Sequence, residues 1–216
     1  MISILLATYN GEKYIKKSVD SILNQTFENF ELLVGFNGTI DNSKQILNSY
    51  NDPRIKIFDY FDDKGKAKTL NKLLKKVNSE WICLQDDDDV WMKNKLEKQI
   101  NFLKDHDVVG SYIKYIDEYN NIIGEPKLYS SDEDIKYYSL NGINQIANTT
   151  AIFKKTDAIE VNGWDENLDG IEDYDFWLKL IKKNKKFINI QEYMVFHRIH
   201  SNSNFNTKKY NLTKIL

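Results

Sequence analysis

The sequence predicts an α/β fold in which helices flank a mixed sheet that is mainly parallel in its N-terminal half. Apolar, strand-like runs alternate with amphipathic, helix-like segments through the first 91 residues. Such alternation, with helices of about ten to fifteen residues, requires right-handed crossovers between parallel strands. In the second half, two strand-like segments flank a short turn at Tyr119–Asn120, which predicts a strand pair of the hairpin type.

Four strands and three helices are predicted in the N-terminal half. Residues 2–8, ISILLAT, form a continuous apolar run that ends at a turn, as a buried parallel strand does. Residues 12–25 carry apolar side chains on one helical stripe, and Asp41 is expected to cap the second helix. The full set is strands at 2–8, 30–36, 54–60 and 80–85, and helices at 12–25, 41–50 and 66–77.

The second half is less regular, and its elements are predicted from shorter patterns. Period-two alternation or apolar runs indicate strands, while residues 174–184 show the spacing of an amphipathic helix. The tail after Ser201 is polar and is expected to be loose. The predicted strands are 108–117, 121–126, 144–155, 186–190 and 194–200.

Composition limits the class of protein. A chain of 216 residues with 41% hydrophobic residues is long enough for one folded domain with a sizeable core. The net charge of −2 offers no field that would recruit nucleic acid, so no nucleic-acid partner is expected. A single cysteine, Cys83, no signal peptide and no run of about 20 apolar residues predict a cytoplasmic protein without a transmembrane segment.

Polar residues follow three of the predicted strands at the point where each strand ends. They are Thr8 to Gly11, Asn37 to Thr39 and Asp86 to Asp89. In open parallel sheets, ligands bind beyond the carboxyl ends of the strands. These three segments are therefore expected to meet in one crevice.

The run of four aspartates in LQDDDDVW, residues 84–91, has three possible explanations. It can hold Mg²⁺ or Mn²⁺ against a diphosphate through a D-x-D pattern, since Mg²⁺ takes one or two carboxylates together with substrate phosphates. It can be the nucleophile loop of an aspartate-dependent phosphatase, although no phosphate-binding motif follows it convincingly. It can also be a solvated loop without a ligand. The metal–diphosphate explanation is favoured.

The motifs in their order along the chain resemble those of glycosyltransferase family 2. The matching pieces are ISILLATYNGEKYIKKSVDSILNQTFENFELLVG, NGTIDNS, DPRIKI, KGKAKTLNKLL, WICLQDDDDVWMKNKLEKQ, NGWDENL, EDYDFWLKL and HRIHSNS. The resemblance implies a Rossmann-like GT-A fold and a single domain over residues 1–216. Within it, residues 1–91 would form the nucleotide-binding half, 92–200 the acceptor-binding half and 201–216 a loose tail.

The resemblance also implies a reaction. It is an inverting, metal-dependent transfer of a sugar from a nucleoside-diphosphate sugar to a hydroxyl of a glycan, glycolipid or glycoprotein. Mn²⁺ or Mg²⁺ would be the cofactor. A phosphatase or a catalytically silent sugar-nucleotide-binding module is the alternative. Weak contact of the lysine-rich segment 179–186 with the inner face of the membrane is a further, minor expectation.

Carried over by position, the strand-end residues would bind the donor. Thr8 and Tyr9 would contact the base and ribose, and Asn10 is included in the same nucleotide-binding set. Asp86 would lie nearer the ribose or sugar, with Asp87 among the donor-binding residues. Asp88 would be a metal ligand.

Residues of the second half would complete the site. Asp173 in EDYD is the preferred catalytic base, kept ionised by the N-terminus of its helix, with Glu172 contacting the acceptor or donor sugar. Trp164 would line the acceptor pocket. Arg198 would reach the diphosphate, and His200 would bind the metal.

Two departures from the family pattern affect donor recognition. Asn37 stands where the family usually has an Asp that hydrogen-bonds uracil, so the carboxylate charge is lost while an acceptor oxygen remains. A UDP-linked donor is favoured on this basis. The family's usual arginine after the third strand is missing from Thr69-Leu70-Asn71, so Lys66 or Lys68 is expected to supply a point charge instead.

Overall fold

The computed structural model describes residues 1–62, 64–168 and 170–201 of the chain. Within these ranges nine strands form one sheet, in the order β3-β2-β1-β4-β8-β6-β9-β5 with β7 paired to β6. The predicted α/β class with a mixed sheet flanked by helices is confirmed. Of the tail predicted to be loose, Ser201 alone lies inside the described ranges.

The N-terminal half contains a four-stranded parallel sheet, as predicted. The strands β1 (Ile2–Thr8), β2 (Phe30–Phe36), β3 (Ile55–Asp59) and β4 (Trp81–Asp86) pair in parallel in the order β3-β2-β1-β4. The crossovers contain α1 (Ile15–Leu23), α2 (Ser43–Asn48) and α3 (Lys66–Leu74). Because β2 and β4 lie on opposite sides of β1, the crossovers reverse direction there, which opens a crevice at the carboxyl ends of these strands.

The second half adds strands of both directions. They are β5 (Val90–Trp91), β6 (Val108–Ile116), β7 (Ile122–Gly124), β8 (Ile152–Lys154) and β9 (Phe187–Arg198). β8 runs antiparallel between β4 and β6, and β9 runs parallel to β6. β6 and β7 form the predicted hairpin, and β5 pairs antiparallel with β9. The resulting sheet joins both halves of the chain.

Four helices accompany these strands, and one of them was predicted. The predicted helix at 174–184 is α7 (Glu172–Lys182). The helices α4 (Lys95–Gln99), α5 (Asp132–Leu140) and α6 (Lys155–Glu160) were not predicted. In the first half, Asp41 precedes the cap position of α2, although its carboxylate still accepts the Ser43 N–H at 3.0 Å. No helix of the described ranges has both the length and the apolar character that a bilayer crossing requires.

Two predictions of strands in the second half need correction. The strand predicted at 144–155 is instead a 3₁₀ turn, Asn148–Thr150, followed by the short β8. The turn forms because the Thr150 hydroxyl donates to the Ala147 carbonyl at 2.7 Å, a local bond that competes with a ladder. The strands predicted at 186–190 and 194–200 are one strand, β9, which passes through register shifts opposite Ser111, Tyr112 and Ile113.

Apolar cores lie on both faces of the sheet. Along β1, Leu5 belongs to the core beneath α3 and α7, while Ile4 and Leu6 belong to the core beneath α1 and α4. This alternation is what a strand buried on both faces requires. The sheet is therefore held by apolar packing on both faces, and the polar side chains at its strand ends are available to form a site.

Candidate active site

A cleft of about 1090 Å³ opens at the carboxyl ends of β1, β2 and β4. Its walls come from the loops after these strands, from the β6–β7 hairpin and from the N-terminus of α7. The prediction that the polar strand ends meet in one crevice is therefore confirmed. The predicted site residues that line it are Tyr9, Asn10, Asn37, Lys66, Asp86, Asp87, Asp88, Glu172, Asp173 and His200.

The aspartate run forms a folded loop whose carboxylates each have a partner. The Thr8 hydroxyl donates to Asp87 Oδ2 at 2.5 Å. Thr8 is buried and does not line the cleft, which corrects the prediction that it contacts the base and ribose. His200 Nε2 lies 3.0 Å from Asp88 Oδ2. Asp89 is fully buried. A solvated loop without a function would not withdraw its charges from water in this way.

The loop also rests on a buried polar network that the sequence did not reveal. The Gln85 amide donates to Ser18 Oγ at 2.7 Å and to the Asp89 carbonyl at 2.9 Å. The Thr149 hydroxyl donates to Gln85 Oε1 at 2.6 Å, and the Ser18 hydroxyl donates to the Asp86 carbonyl at 2.9 Å. Gln85 is thus satisfied on both sides and holds both ends of the loop.

The charges in the loop alter one another. Burial and the neighbouring Asp88 charge raise the pKa of Asp87 to about 7. Burial also opposes ionisation of Asp88, but the hydrogen bond from His200 and the nearby His197 charge outweigh it and lower the pKa of Asp88. Partial burial disfavours the charge of His197, yet the Asp89 carboxylate raises its pKa to about 9. The loop is therefore a set of mutually dependent charges.

Arg198 does not reach the cleft, which corrects the prediction that it contacts the diphosphate. Its side chain is fully buried. The guanidinium donates to the Asp88 carbonyl at 2.9 Å, the Asp117 carbonyl at 2.7 Å and Asn120 Oδ1 at 2.8 Å. It also lies over the Tyr14 ring, 4.6 Å from the centroid. Arg198 thus ties the acidic loop to the β6–β7 hairpin.

Trp164 is also placed differently from the prediction. Its ring is 1% exposed and stacks on Phe176 of α7 with centroids 4.7 Å apart. It lies in the core and not among the residues that line the cleft. A direct contact with an acceptor is therefore excluded by burial in this structure.

Lys66 bridges the acidic loop and the N-terminus of α7. Its ammonium lies 2.5 Å from Asp86 Oδ1. Burial disfavours the charge of Lys66, but the carboxylates of Asp86, Glu172 and Asp173 together raise its pKa above its usual value. The three acidic groups therefore surround one cation, on opposite walls of the cleft. Asn148, which the sequence did not single out, donates its side-chain amide to the same Asp86 oxygen at 3.2 Å.

The two acidic residues at the start of α7 differ in their surroundings. Glu172 is 4% exposed and accepts the Gly170 N–H at 2.6 Å. Asp173 accepts the Tyr174 N–H at 2.8 Å. Burial, with the Glu172 charge added to it, raises the pKa of Asp173 to about 7. The expectation that the helix N-terminus keeps Asp173 firmly ionised is therefore not met, because desolvation and the like charge outweigh the helix dipole.

Asn37, in the loop after β2, has an acceptor oxygen without a partner. Its N–H donates to the Thr8 carbonyl at 3.1 Å, and the residue is 6% exposed. Its Oδ1 is buried and accepts no hydrogen bond from the described residues. Tyr9, by contrast, is 53% exposed at the rim. Both residues line the cleft. An unpaired acceptor and an exposed ring in one cleft are suited to a planar ligand that carries an N–H group.

The residues predicted to bind a metal fit part of a coordination shell. Within the described ranges there is no group of three or more His, Cys, Asp and Glu side chains placed to hold a metal ion. Asp88 Oδ2 and His200 Nε2 are 3.0 Å apart. Adjacent ligands of an octahedral ion with bonds of about 2.1 Å lie about 3 Å apart. The pair would therefore fit two positions of such an ion, and its other ligands would have to come from outside this pair.

Comparison with known proteins decides the family. The model of Glycosyl transferase family 2 matches residues 3–160. The chain belongs to glycosyltransferase family 2. The predicted resemblance is thereby confirmed, and the chain is a glycosyltransferase.

Relatives within the family include two Escherichia coli enzymes. The UDP-Glc:alpha-D-GlcNAc-diphosphoundecaprenol beta-1,3-glucosyltransferase WfaP is 30% identical over 203 residues, which cover 94% of this chain and 79% of WfaP. The O-antigen biosynthesis glycosyltransferase WbnJ is 33% identical over 218 residues, which cover 94% of this chain and 81% of WbnJ. Both similarities span nearly the whole of this chain.

Solved structures confirm the GT-A fold expected of the family. S. aureus TarS in complex with UDP-GlcNAc has a TM-score of 0.81 at 21% identity, covering 99% of this chain and 63% of the TarS chain. A mannosyltransferase from Pyrobaculum calidifontis in complex with GDP-Man and Mn²⁺ has a TM-score of 0.71 at 16% identity, covering 93% of this chain and 57% of that chain. This chain thus spans less than two thirds of either solved chain.

Proposed function

We propose that this glycosyltransferase moves a sugar from a UDP-linked donor to a hydroxyl of a glycan or glycolipid acceptor, with inversion at the anomeric carbon and with a bound Mn²⁺ or Mg²⁺. The observation that supports this most is the cleft in which the acidic loop faces Glu172 and Asp173 across Lys66. In this proposal, residues 1–91 bind the nucleotide and residues 92–200 supply the acceptor side of a single domain.

The donor would lie along the cleft from Asn37 to Asp173. The unpaired Oδ1 of Asn37 is suited to accept the N–H of uracil, and the exposed Tyr9 ring is suited to cover the base. Asn10 lines the cleft next to them. Lys66, paired with Asp86, would supply a charge to the diphosphate, where the family's usual arginine is missing. WfaP, named as using UDP-Glc, and TarS, solved with UDP-GlcNAc, are consistent with a uridine donor.

The metal would sit at the acidic loop. Asp88 and His200 would hold it, with the diphosphate and water completing its shell. When bound, such an ion offsets the charge that develops on the leaving diphosphate. Asp86 and Asp87 add negative charge beside it, and Lys66 limits the resulting repulsion.

Asp173 would act as the general base. Its carboxylate takes the proton of the acceptor hydroxyl while the hydroxyl oxygen attacks the anomeric carbon and the bond to the diphosphate breaks. A pKa of about 7 is suited to this task, because about half of the Asp173 carboxyl is ionised near neutral pH and the ionised form is basic enough to take a proton. Glu172, which is buried beside it, would keep the pKa of Asp173 raised and would contact a sugar hydroxyl.

Two alternatives for the acidic loop lose support. The solvated-loop explanation conflicts with the buried Asp89 and with the network on Gln85. The phosphatase explanation requires an unhindered Asp86 nucleophile, whereas Asp86 Oδ1 already accepts from Lys66 and Asn148. Membership of a transferase family agrees with both statements.

The lysine-rich segment 179–186 gives little support for membrane contact. Lys179 pairs with Asp175 at 2.7 Å, and Lys185 pairs with Asp157 at 2.8 Å. Lys183 lies 3.4 Å from Glu160. The charges of these three lysines are therefore paired with carboxylates of the protein itself. We propose a cytoplasmic location. If the acceptor is a glycolipid, the enzyme would work at the inner face of the membrane because its acceptor lies there, and not because of this segment.

A transfer assay with substituted proteins tests the proposed base. Asp173→Asn keeps the shape of the side chain and removes its basicity, so turnover is expected to fall about 10²- to 10⁴-fold while UDP affinity stays near wild type. Asp175→Asn is the matched control, since Asp175 lies in the same helical turn but pairs with Lys179 outside the cleft. If Glu172→Gln shows the large loss and Asp173→Asn does not, the roles of the two residues are reversed.

A further inference from the structure

We propose that Asn148 recognises the sugar that is transferred, by accepting a hydrogen bond from one of its hydroxyls beside Asp86. This inference rests on the proposed function and names a determinant of donor-sugar specificity. The sequence pattern does not indicate this role, because Asn148 lies in a segment, NTT, that is predicted to be part of a strand.

Asn148 is held in a fixed position at the wall of the cleft. It begins the 3₁₀ turn Asn148–Thr150, is 8% exposed and lines the cleft. The turn is anchored because Thr149 donates to Gln85 and its carbonyl accepts the Trp91 indole N–H at 3.1 Å. The Gln99 amide donates to the Thr150 carbonyl at 2.8 Å. Each anchor comes from a different element, so the turn has little freedom to move.

The orientation of the Asn148 amide follows from its neighbour. Its Nδ2 lies 3.2 Å from Asp86 Oδ1, which also accepts from Lys66. The opposite orientation would place the amide oxygen against a carboxylate oxygen, where neither atom can donate. Asn148 Oδ1 therefore points away from Asp86. This oxygen is buried and accepts no hydrogen bond from any described residue.

The chemistry of this corner selects a ligand that donates hydrogen bonds. Asn148 Oδ1 needs a donor, and no described residue donates to the second oxygen of Asp86. A diphosphate offers acceptors only, whereas the hydroxyls of a sugar offer donors. Because the Asn148 amide contacts Asp86, both acceptors belong to one corner of the cleft and would suit hydroxyls of one sugar ring.

The place of this corner in the cleft points to the transferred sugar instead of the ribose. Asp86 is paired with Lys66, and the carboxylates of Glu172 and Asp173 also stabilise the charged form of Lys66. The uracil acceptor, Asn37, belongs to the loop after a different strand, β2. In the proposed function the transferred sugar must lie between the diphosphate and the base Asp173. The corner at Asn148 and Asp86 lies on that path.

Titration calorimetry with UDP, UDP-glucose and UDP-GlcNAc in the presence of Mn²⁺ tests the inference. Of the two UDP-sugars, the one that the wild type binds more tightly is the probe. Asn148→Ala is expected to raise its Kd about three- to tenfold and to leave the Kd of UDP unchanged. Asn144→Ala is the matched control. Asn144 also lines the cleft, but its Oδ1 already accepts the Ile146 N–H at 3.1 Å.

Monodeoxy analogues of UDP-glucose identify the hydroxyl. For the wild type, one analogue is expected to bind more weakly than UDP-glucose by the same factor that Asn148→Ala weakens binding of UDP-glucose. Asn148→Ala itself should bind that analogue and UDP-glucose with the same Kd. Equal weakening of UDP and UDP-sugars, or no weakening of either, would overturn the inference while the proposed function stands. Failure of the wild type to bind or transfer from any UDP-sugar would overturn the proposed function itself. If Asn148→Ala does not fold, Asn148→Ser is compared in the same way.

Discussion

At the scale of single residues, the ionisation of Asp173 depends on the two charged side chains around it. Burial and the Glu172 charge raise the pKa of Asp173, and the Lys66 ammonium lowers it. The three groups thus set the pH at which the proposed base becomes available. Because the effects oppose one another, changing either neighbour should move that pH in a known direction.

The pH profile of kcat/KM should reveal this dependence. A base must be ionised, so activity is expected to fall as the pH drops through about 7. Glu172→Gln removes the like charge that raises the pKa of Asp173, so the acid limb should move to lower pH. Lys66→Met removes the cation and should move it to higher pH. Profiles that keep the same acid limb in both variants would contradict Asp173 as the titrating base.

Asn37 gives a second prediction at this scale. An Asp here would accept the uracil N–H more strongly than the neutral amide, because a hydrogen bond to a charged acceptor is stronger. Asn37→Asp is therefore expected to widen the ratio of the CDP and UDP dissociation constants. Competition binding of UDP, CDP and GDP to both proteins measures it. Tight binding of GDP or CDP by the wild type, with no binding of UDP, would show that the base is not uracil.

The strand-end residues were predictable from sequence, while two site residues were misplaced for a physical reason. Parallel strands bring their carboxyl ends to one edge, so the positions of Asn37 and Asp86 follow from the order of elements. The direction of the Arg198 and Trp164 side chains depends instead on distant partners, Asn120 and Phe176. Such contacts leave no periodic signal in the sequence.

At the scale of elements, Arg198 connects three segments that are far apart in the chain. It lies at the end of β9 and donates to the acidic loop at Asp88 and to the β6–β7 turn at Asp117 and Asn120. A planar guanidinium can serve three acceptors in different directions, which an ammonium on a flexible stem cannot do with the same geometry. The position of the loop therefore depends on the hairpin.

Arg198→Lys tests this dependence. The substitution keeps the charge but leaves one or more buried carbonyls without a donor, so we expect the free energy of unfolding to fall by about 2–3 kcal/mol. Urea unfolding measures the change. Arg54→Lys is the matched control, because Arg54 is only partly buried, pairs with Asp52 and lies over the Phe30 ring. A loss below about 1 kcal/mol is expected there, and equal losses in both variants would argue against a special role for Arg198.

The elements themselves were predicted best where one pattern continued without interruption. The alternation in residues 1–91 identified all four parallel strands. β9 was split in two because the polar residues 191–192 interrupt its apolar pattern, although the register shift opposite β6 absorbs them. The turn at Asn148 was missed because apolar residues on both sides suggest a strand. Its side-chain hydrogen bonds become visible only in three dimensions.

At the scale of the whole molecule, the proposed metal links nucleotide binding to stability. We expect EDTA to abolish transfer and excess Mn²⁺ to restore it, because Asp88 and His200 supply part of a coordination shell. UDP at about 100 times its Kd should stabilise the protein by about 2.7 kcal/mol. Asp88→Ala should lose the part of this gain that depends on Mn²⁺, as a thermal melt with and without the ion would show. Full activity in excess chelator would contradict a metal role.

The charge of Asp87, which accepts the hydrogen bond from Thr8, affects the balance between stability and donor binding. Because its pKa is raised to about 7, Asp87 is charged next to Asp86 and Asp88 above neutral pH before any ligand arrives, and the fold must bear that repulsion. Asp87→Asn keeps the Thr8 bond and removes one charge, so the ligand-free protein should resist urea better, by about 1–3 kcal/mol at pH 8, while donor binding weakens. The same substitution at Asp20, which pairs with Lys16 on the surface, should bring no such gain. A less stable Asp87→Asn protein would mean that the loop carries no strain, and a more stable one would show that this enzyme gives up robustness to keep its site charged.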